Sequence, residues 1–333
     1  MEVVPGILQH HVDLGSRDLF LYSVHGDRRH LLIDTGLASS PELAIEPDLR
    51  RHGLRLADVD TVILTHADAD HIGGNEAVAE TAAHARFYCH EQDRALVEHP
   101  DALLYDRYDQ FRRDHGIAYE PEVMDALRGM LPDRLPAVHL GLTGGETVPY
   151  GPDRALSVLH TPGHTQGHVS LYDAAGKLAF IGDSVLRHGT VACTGELIAP
   201  PTYLNVDAYL GSIRLLRSLP LDYMCTCHFG VLKGSGIARF LDDSDQFVAR
   251  FEQVLLGILA HSSAVWTMKA LLAELTPVYP EYAFPVDFAY PVYAHMNKLA
   301  EQGIYAVTET DQGTGWIIND GPGAPFAGAK TTR

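Results

Sequence analysis

Four side chains able to hold a metal ion fall within six residues of Thr65-His66-Ala67-Asp68-Ala69-Asp70-His71-Ile72-Gly73-Gly74-Asn75. Two are imidazoles and two are carboxylates, the donors that bind divalent cations and make a bound water acidic. Two later stretches extend the set: His160-Thr161-Pro162-Gly163-His164-Thr165-Gln166-Gly167-His168 and Cys227-His228-Phe229-Gly230, with Asp183-Ser184 between them. Asp34, followed by Thr35-Gly36, can orient a ligating histidine from behind, although a plain turn aspartate reads nearly as well.

Each of these residues follows a short apolar run. Thr61-Val62-Ile63-Leu64 reads as a buried strand delivering His66 to His71 to one sheet edge, with Gly73 and Gly74 allowing a tight turn into a helix. Further strands are expected at 3–9, 19–24, 30–34, 85–89, 156–159, 169–172, 177–182 and 223–226, and helices at 42–52, 75–81 and 206–218. From 91 to about 130 the chain reads as helical, broken by Pro100, Gly116 and Pro121, and rich in Tyr and Arg. That insertion is expected near the mouth of the site, with Tyr105, Tyr108 and Arg112 as substrate candidates. Helices at 244–259, 265–275 and 291–302 then precede a hairpin turning at 311–314.

The chain has 333 residues, 46% of them hydrophobic, and a formal charge of -18, which repels polyanions. No apolar run is long enough for a membrane span, and Met1-Glu2-Val3-Val4-Pro5 lacks a signal-peptide layout. Four cysteines suggest no disulfide framework, so a cytoplasmic location is expected.

Four ordered pieces, THADADHIGG at 65–74, TPGHTQGH at 161–168, FIGDS at 180–184 and CHFG at 227–230, make the sequence resemble the metallo-β-lactamase superfamily over roughly residues 1–240. The resemblance implies an α/β fold, the four-layer αββα sandwich, at 1–240, with the helical insertion at about 91–140. A small C-terminal helical, winged-helix-like domain follows at 241–320, then a flexible tail at 321–333. By position, His66, Asp68 and His164 would hold one metal, Asp70, His71 and His228 a second, and Asp183 would bridge both. The family implies two divalent ions about 3.5–4 Å apart, zinc by habit, sharing a bridging hydroxide as nucleophile. Asp70 is a candidate for protonating the leaving group. His160 and His168 are expected to be structural or to steady the ligands.

The sequence departs from the family's usual H-x-H-x-D-H at Asp68. Two divalent ions, three carboxylates and a hydroxide then sum to a neutral cluster, a weaker Lewis acid whose harder ligand favours manganese or iron.

The expected activity is hydrolysis of a small carbonyl substrate: an ester, lactone or thioester. A phosphodiesterase or nuclease is an alternative, because H-x-D-x-D-H is similar to the motif of nuclease-like domains in DNA-uptake channels. Against nucleic acid as a partner, Lys269 and Lys298 are the only Lys or Arg between Phe251 and Ala329. A di-iron redox protein akin to the flavodiiron branch is the third reading, but no flavodoxin-like segment follows the core. Tyr279, Tyr282, Phe284, Phe288 and Tyr290 are read as a packing surface, supporting a homodimer or walling the cleft.

Overall fold

The computed structural model describes residues 1–319, apart from Asp133 and residues 262–264; the expected tail at 321–333 lies outside the described residues. The first sheet contains β1 (Glu2–Val4), β2 (Ile7–Asp13), β3 (Asp18–His25), β4 (His30–Ile33), β5 (Thr61–Ile63), β6 (Arg86–His90) and β7 (Leu140–Leu142), neighbours in that order. It is antiparallel as far as β4 and parallel from β4 to β7. The single strand expected at 3–9 is broken, because the chain turns at Pro5-Gly6 and β2 runs on to Asp13.

The second sheet holds β8 (Thr147–Pro149), β9 (Ala155–His160), β10 (Val169–Asp173) and β11 (Leu178–Phe180). After a separate ribbon of β12 (Thr190–Val191) and β13 (Leu197–Ala199), it is completed by β14 (Tyr223–Cys225) and β15 (Val231–Lys233). Its one parallel pair is β11 with β14.

Strand composition explains the layering. In β4, Leu31 and Ile33 pack between the two sheets, beside Val158, Leu171 and Phe180, while Leu32 packs on the opposite face among Ile45, Leu49 and Val78. In β5, Ile63 and Val62 divide in the same way. Both faces are covered, so these strands read as unbroken apolar runs rather than alternating ones. A third core joins the outer face of the second sheet to helices, through Ala179, Met224, Ile213, Leu216, Phe240 and Leu241. The result is the four-layer αββα sandwich.

Helix Val206–Ser218 starts where Asn205 accepts a hydrogen bond from the Ala208 N–H, as an N-cap should. After the sandwich come helix Ser235–Leu259, β16 (Trp266–Thr267), helices Met268–Leu275 and Ala289–Glu301, and a hairpin of β17 (Tyr305–Thr310) and β18 (Gly313–Ile318). The first of these helices begins nine residues before the expected 244. These helices pack on Val206–Ser218, with Tyr203 Oη 3.0 Å from His295 Nε2 and Lys298 bonded to Asp207. Tyr279, Tyr282, Phe288 and Tyr290 are buried in this packing, and only Phe284, at 46%, is exposed. These rings therefore pack mostly on their own chain rather than forming the exposed surface expected, and Phe284 and Tyr290 also line the cleft. Among the described residues, no helix is long and apolar enough to cross a membrane.

Candidate metal centre

The carboxyl ends of β4, β5, β11 and β14 open on a common edge, and there the sequence places Asp34, His66–His71, Asp183 and His228. Among the described residues, three groups have donor atoms within 4.8 Å of one another: His66, His164 and Asp183; Asp70, His71 and His228; and, behind the second, Asp34, His71 and Cys227. Asp183 Oδ2 is also 3.6 Å from His71 Nε2 and 3.2 Å from His228 Nε2, so it faces both of the first two groups.

All four histidines present the same nitrogen. His164 Nδ1 lies 2.8 Å from the Thr202 carbonyl and His228 Nδ1 3.0 Å from the Asp18 carbonyl, acceptors that fix the proton on Nδ1. His71 Nδ1 donates to Asp34 Oδ2 at 2.9 Å. Thr65 Oγ1 gives its own proton to Asp34 Oδ2, so it accepts from His66 Nδ1 at 3.0 Å. Every Nε2 is thus left with a lone pair aimed at the centre, the arrangement that outer hydrogen bonds impose on metal-binding imidazoles. His66 Nε2, His71 Nε2 and Asp183 Oδ1 are buried with no hydrogen-bond partner in the protein. Buried polar atoms are rarely left so, and a divalent cation would satisfy all three. The donor set fits metal.

The supporting residues are built tightly. Asp34 adopts φ 59°, and its carboxylate accepts from Thr65 N–H and Thr65 Oγ1 as well as from His71. His168 Nε2 accepts the Asp183 N–H at 3.1 Å, which commits its lone pair to positioning Asp183. Burial and the neighbouring His66 and His164 keep His168 neutral. Gly182, just before Asp183, has φ 50°, and a Cβ there would lie 2.8 Å from His168 Nε2 and from Thr65 Oγ1. Gly73 and Gly74 serve differently from expectation. Gly73 is right-handed helical and Gly74 also has negative φ, and they matter for close approach: a Cβ would come within 2.5 Å of the Met130 carbonyl at Gly73 and 2.4 Å of the Thr35 carbonyl at Gly74.

Electrostatics follow from burial and pairing. Burial works against ionising Asp68, yet Arg107, with His164 and His66 close by, holds its carboxyl well below the usual range. Burial likewise opposes Asp183, and His228 and His71 outweigh it. Burial would lower His71, but Asp34, Cys227 and Asp183 raise it well above an ordinary imidazole, so a cation bound here must displace a proton from Nε2. Burial opposes Asp70 too, and Arg17 overcomes it, so Asp70 is held ionised and is poorly suited to protonating a leaving group.

Two cations were missing from the sequence-based charge count. Arg107 clamps Asp68 through two contacts of 3.1 and 3.2 Å, and Arg17 meets Asp70 at 3.1 Å. These guanidinium charges offset two of the carboxylates, so the field at the centre is set by more than the motif residues. Asp68 itself lies 2.9 Å from His164 Nε2 and 3.5 Å from His66 Nε2, beside the first donor group.

Among the substrate candidates, Tyr108 lines the cavity above the donors, its hydroxyl accepting the Ala69 N–H at 2.8 Å. Tyr105 and Arg112 do not: Tyr105 is 57% exposed, Arg112 pairs with Asp109, and both line a separate surface recess. The helical phase decides this. Leu103, Leu104 and Phe111 face the core and carry Arg107 and Tyr108 inward, leaving Tyr105 and Arg112 outside. That spacing was a usable signal for Arg107. Arg17, in the turn between β2 and β3, and Asp287, from the C-terminal helices, also line the cavity and carried no local signal.

The cavity is about 270 Å³. Its lining includes the apolar side chains of Val123, Leu127, Met130, Leu186, Ile198 and Phe284, together with the hydrogen-bonded pair Tyr119 and Asp287.

The family model described as "Metallo-beta-lactamase superfamily" matches residues 17–228, which hold strands β3 to β14 and all seven expected ligands. The chain belongs to that superfamily. A metallo-beta-lactamase family protein from Thermus thermophilus shares the fold at TM-score 0.70 and 22% identity, covering 95% of this chain and 99% of its own. Hydroxyacylglutathione hydrolase of Synechococcus sp. (strain JA-2-3B'a(2-13)) is 27% identical over 72% of this chain and 75% of that protein. Acyl-coenzyme A thioesterase MBLAC2 of Gallus gallus is 29% identical over 60% of this chain and 66% of that protein. The chain thus spans about two-thirds to three-quarters of these curated relatives. As a member of the superfamily, it is a metal-dependent hydrolase.

Proposed function

We propose that this superfamily member hydrolyses a small ester or thioester with water activated by divalent metal. The observation that carries the reading is the set of four imidazoles, each anchored at Nδ1 and presenting Nε2 around Asp183. We assign His66, His164 and Asp183 to one ion, with Asp68 beside them, and Asp70, His71 and His228 to the other, Asp183 facing both. Imidazole-rich donors of this kind suit zinc. Ions held there supply Lewis acidity and a water acidic enough to serve as nucleophile near neutral pH.

The chain's own groups do the rest. Burial and the nearby Asp68 and Asp70 keep the Tyr108 hydroxyl protonated; it accepts from Ala69, so its proton remains to steady a substrate oxygen. The apolar wall suits an acyl group, and the thioesterase name of the MBLAC2 relative points the same way. Cys89, Cys193, Cys225 and Cys227 are all free, which suits a reducing compartment, and we assign the cytoplasm.

The test is a metal-reconstituted screen over esters, lactones, thioesters and phosphodiesters. The reading expects turnover of a carbonyl substrate that chelation abolishes and divalent metal restores. Turnover confined to phosphodiesters, or unaffected by chelation, would overturn it.

A further inference from the structure

Arg107 puts a permanent cation among the metal donors. Its Nη2 lies 3.2 Å from Asp68 Oδ2 and 3.3 Å from His164 Nε2, and its Nε 3.1 Å from Asp68 Oδ1. One guanidinium nitrogen therefore occupies the angle between a carboxylate oxygen and an imidazole lone pair, two atoms an ion at the first position would draw on. Arginine does not give up its proton in proteins, so this charge persists at every working pH.

The guanidinium is also held in place. Arg107 is 3% exposed, it stacks over the Tyr290 ring at 5.1 Å, and its carbonyl accepts from Tyr290 Oη and Gln110 Nε2. The counterpart at the second position is looser. Arg17 reaches Asp70 through one contact of 3.1 Å, and its side chain is 29% exposed, so it can swing into solvent when a cation takes the carboxylate. His71 and His228 in that group are anchored by Asp34 and by the Asp18 carbonyl, away from either arginine.

We propose that Arg107 competes with metal for Asp68 and His164, so that the two positions load unequally. The Asp70–His71–His228 position fills first and tightly; the His66–His164–Asp183 position fills second and more weakly. This rests on the metal-centre reading above and deepens it, with Arg107 as a positioning residue that sets the metal content of the protein.

The experiment titrates metal-stripped full-length protein with Co²⁺, following heat and visible absorption. Wild type should bind in two resolved steps separated by about tenfold to a hundredfold, the scale on which groups behind metal ligands act. Arg107→Met should narrow that gap by about tenfold by tightening the second step alone. If Asp68 without its partner prevents that variant from folding, Arg107→Lys, with a single shorter donor in place of the clamp, should narrow the gap in part. Indistinguishable constants in wild type, or a second constant unmoved in the folded variant, would overturn the proposal. Two-step binding by a protein that hydrolyses no substrate would refute the hydrolase reading and leave this one standing. No binding at all would end both.

Discussion

Asp287 offers a test whose sign and size both follow from its surroundings. The carboxyl comes from the C-terminal helices, is 9% exposed, accepts from the Tyr119 hydroxyl and lines the cavity. Burial pushes it up from 3.8 to about 6, and the opposing pull of Tyr119, Arg17 and Arg107 is too weak to offset that. Below pH ~4 the folded and unfolded chains both carry the proton and the residue costs nothing. Between about 4 and 6 the unfolded chain releases its proton while the folded chain keeps it, so stability falls as pH rises. Above about 6 the cost is complete. Two pKa units correspond to about 3 kcal/mol. Asp287→Asn cannot ionise, and its amide oxygen can still accept from Tyr119. The variant should match wild type near pH 4 and exceed it by about 3 kcal/mol at pH 7. Urea unfolding at half-unit pH steps, compared as wild type minus variant, reads the difference directly. A difference that stays flat from pH 4 to 7, or a variant less stable than wild type at pH 7, would show that the carboxyl is not held protonated by burial.

Gly182→Ala should destabilise by about 1–3 kcal/mol, because left-handed backbone and two side chains at 2.8 Å leave no room for a Cβ; thermal unfolding measures it, and an unchanged midpoint refutes it. The same variant should hold metal less well, since His168 and Asp183 are both displaced, and equilibrium dialysis would detect the loss. Asp183→Ala and His228→Ala should each abolish turnover and leave the circular dichroism of the folded chain; activity retained in either removes that residue from the centre.

What the sequence revealed, and what it hid, divides along a physical line. A residue that ends a buried strand is placed by its own neighbours: Val62 and Ile63 fix where β5 runs, so His66 must emerge at its carboxyl end. Asp34, Asp183 and His228 are legible for the same reason, each following a short apolar run. The individual strands were legible too, since strands covered on both faces read as apolar throughout, whereas the two-sheet layering was implied by the resemblance of the motifs. The cavity wall obeys no such local rule. Arg107 lines the cavity because a helix turns it inward beside Leu103 and Leu104, a phase carried by the spacing of the apolar residues and not by residue type. Arg17 sits in a hairpin turn and Asp287 more than a hundred residues from the insertion, and they meet Asp70 and Tyr119 only through tertiary packing. The error at Tyr105 and Arg112 has the same origin, because residue type alone was followed where helical phase should have decided. The field at the centre also depends on these distant arginines, which a count limited to the motif leaves out. Metal donors can be read from strand ends, but the field in which they act is set by whatever the rest of the chain folds over them.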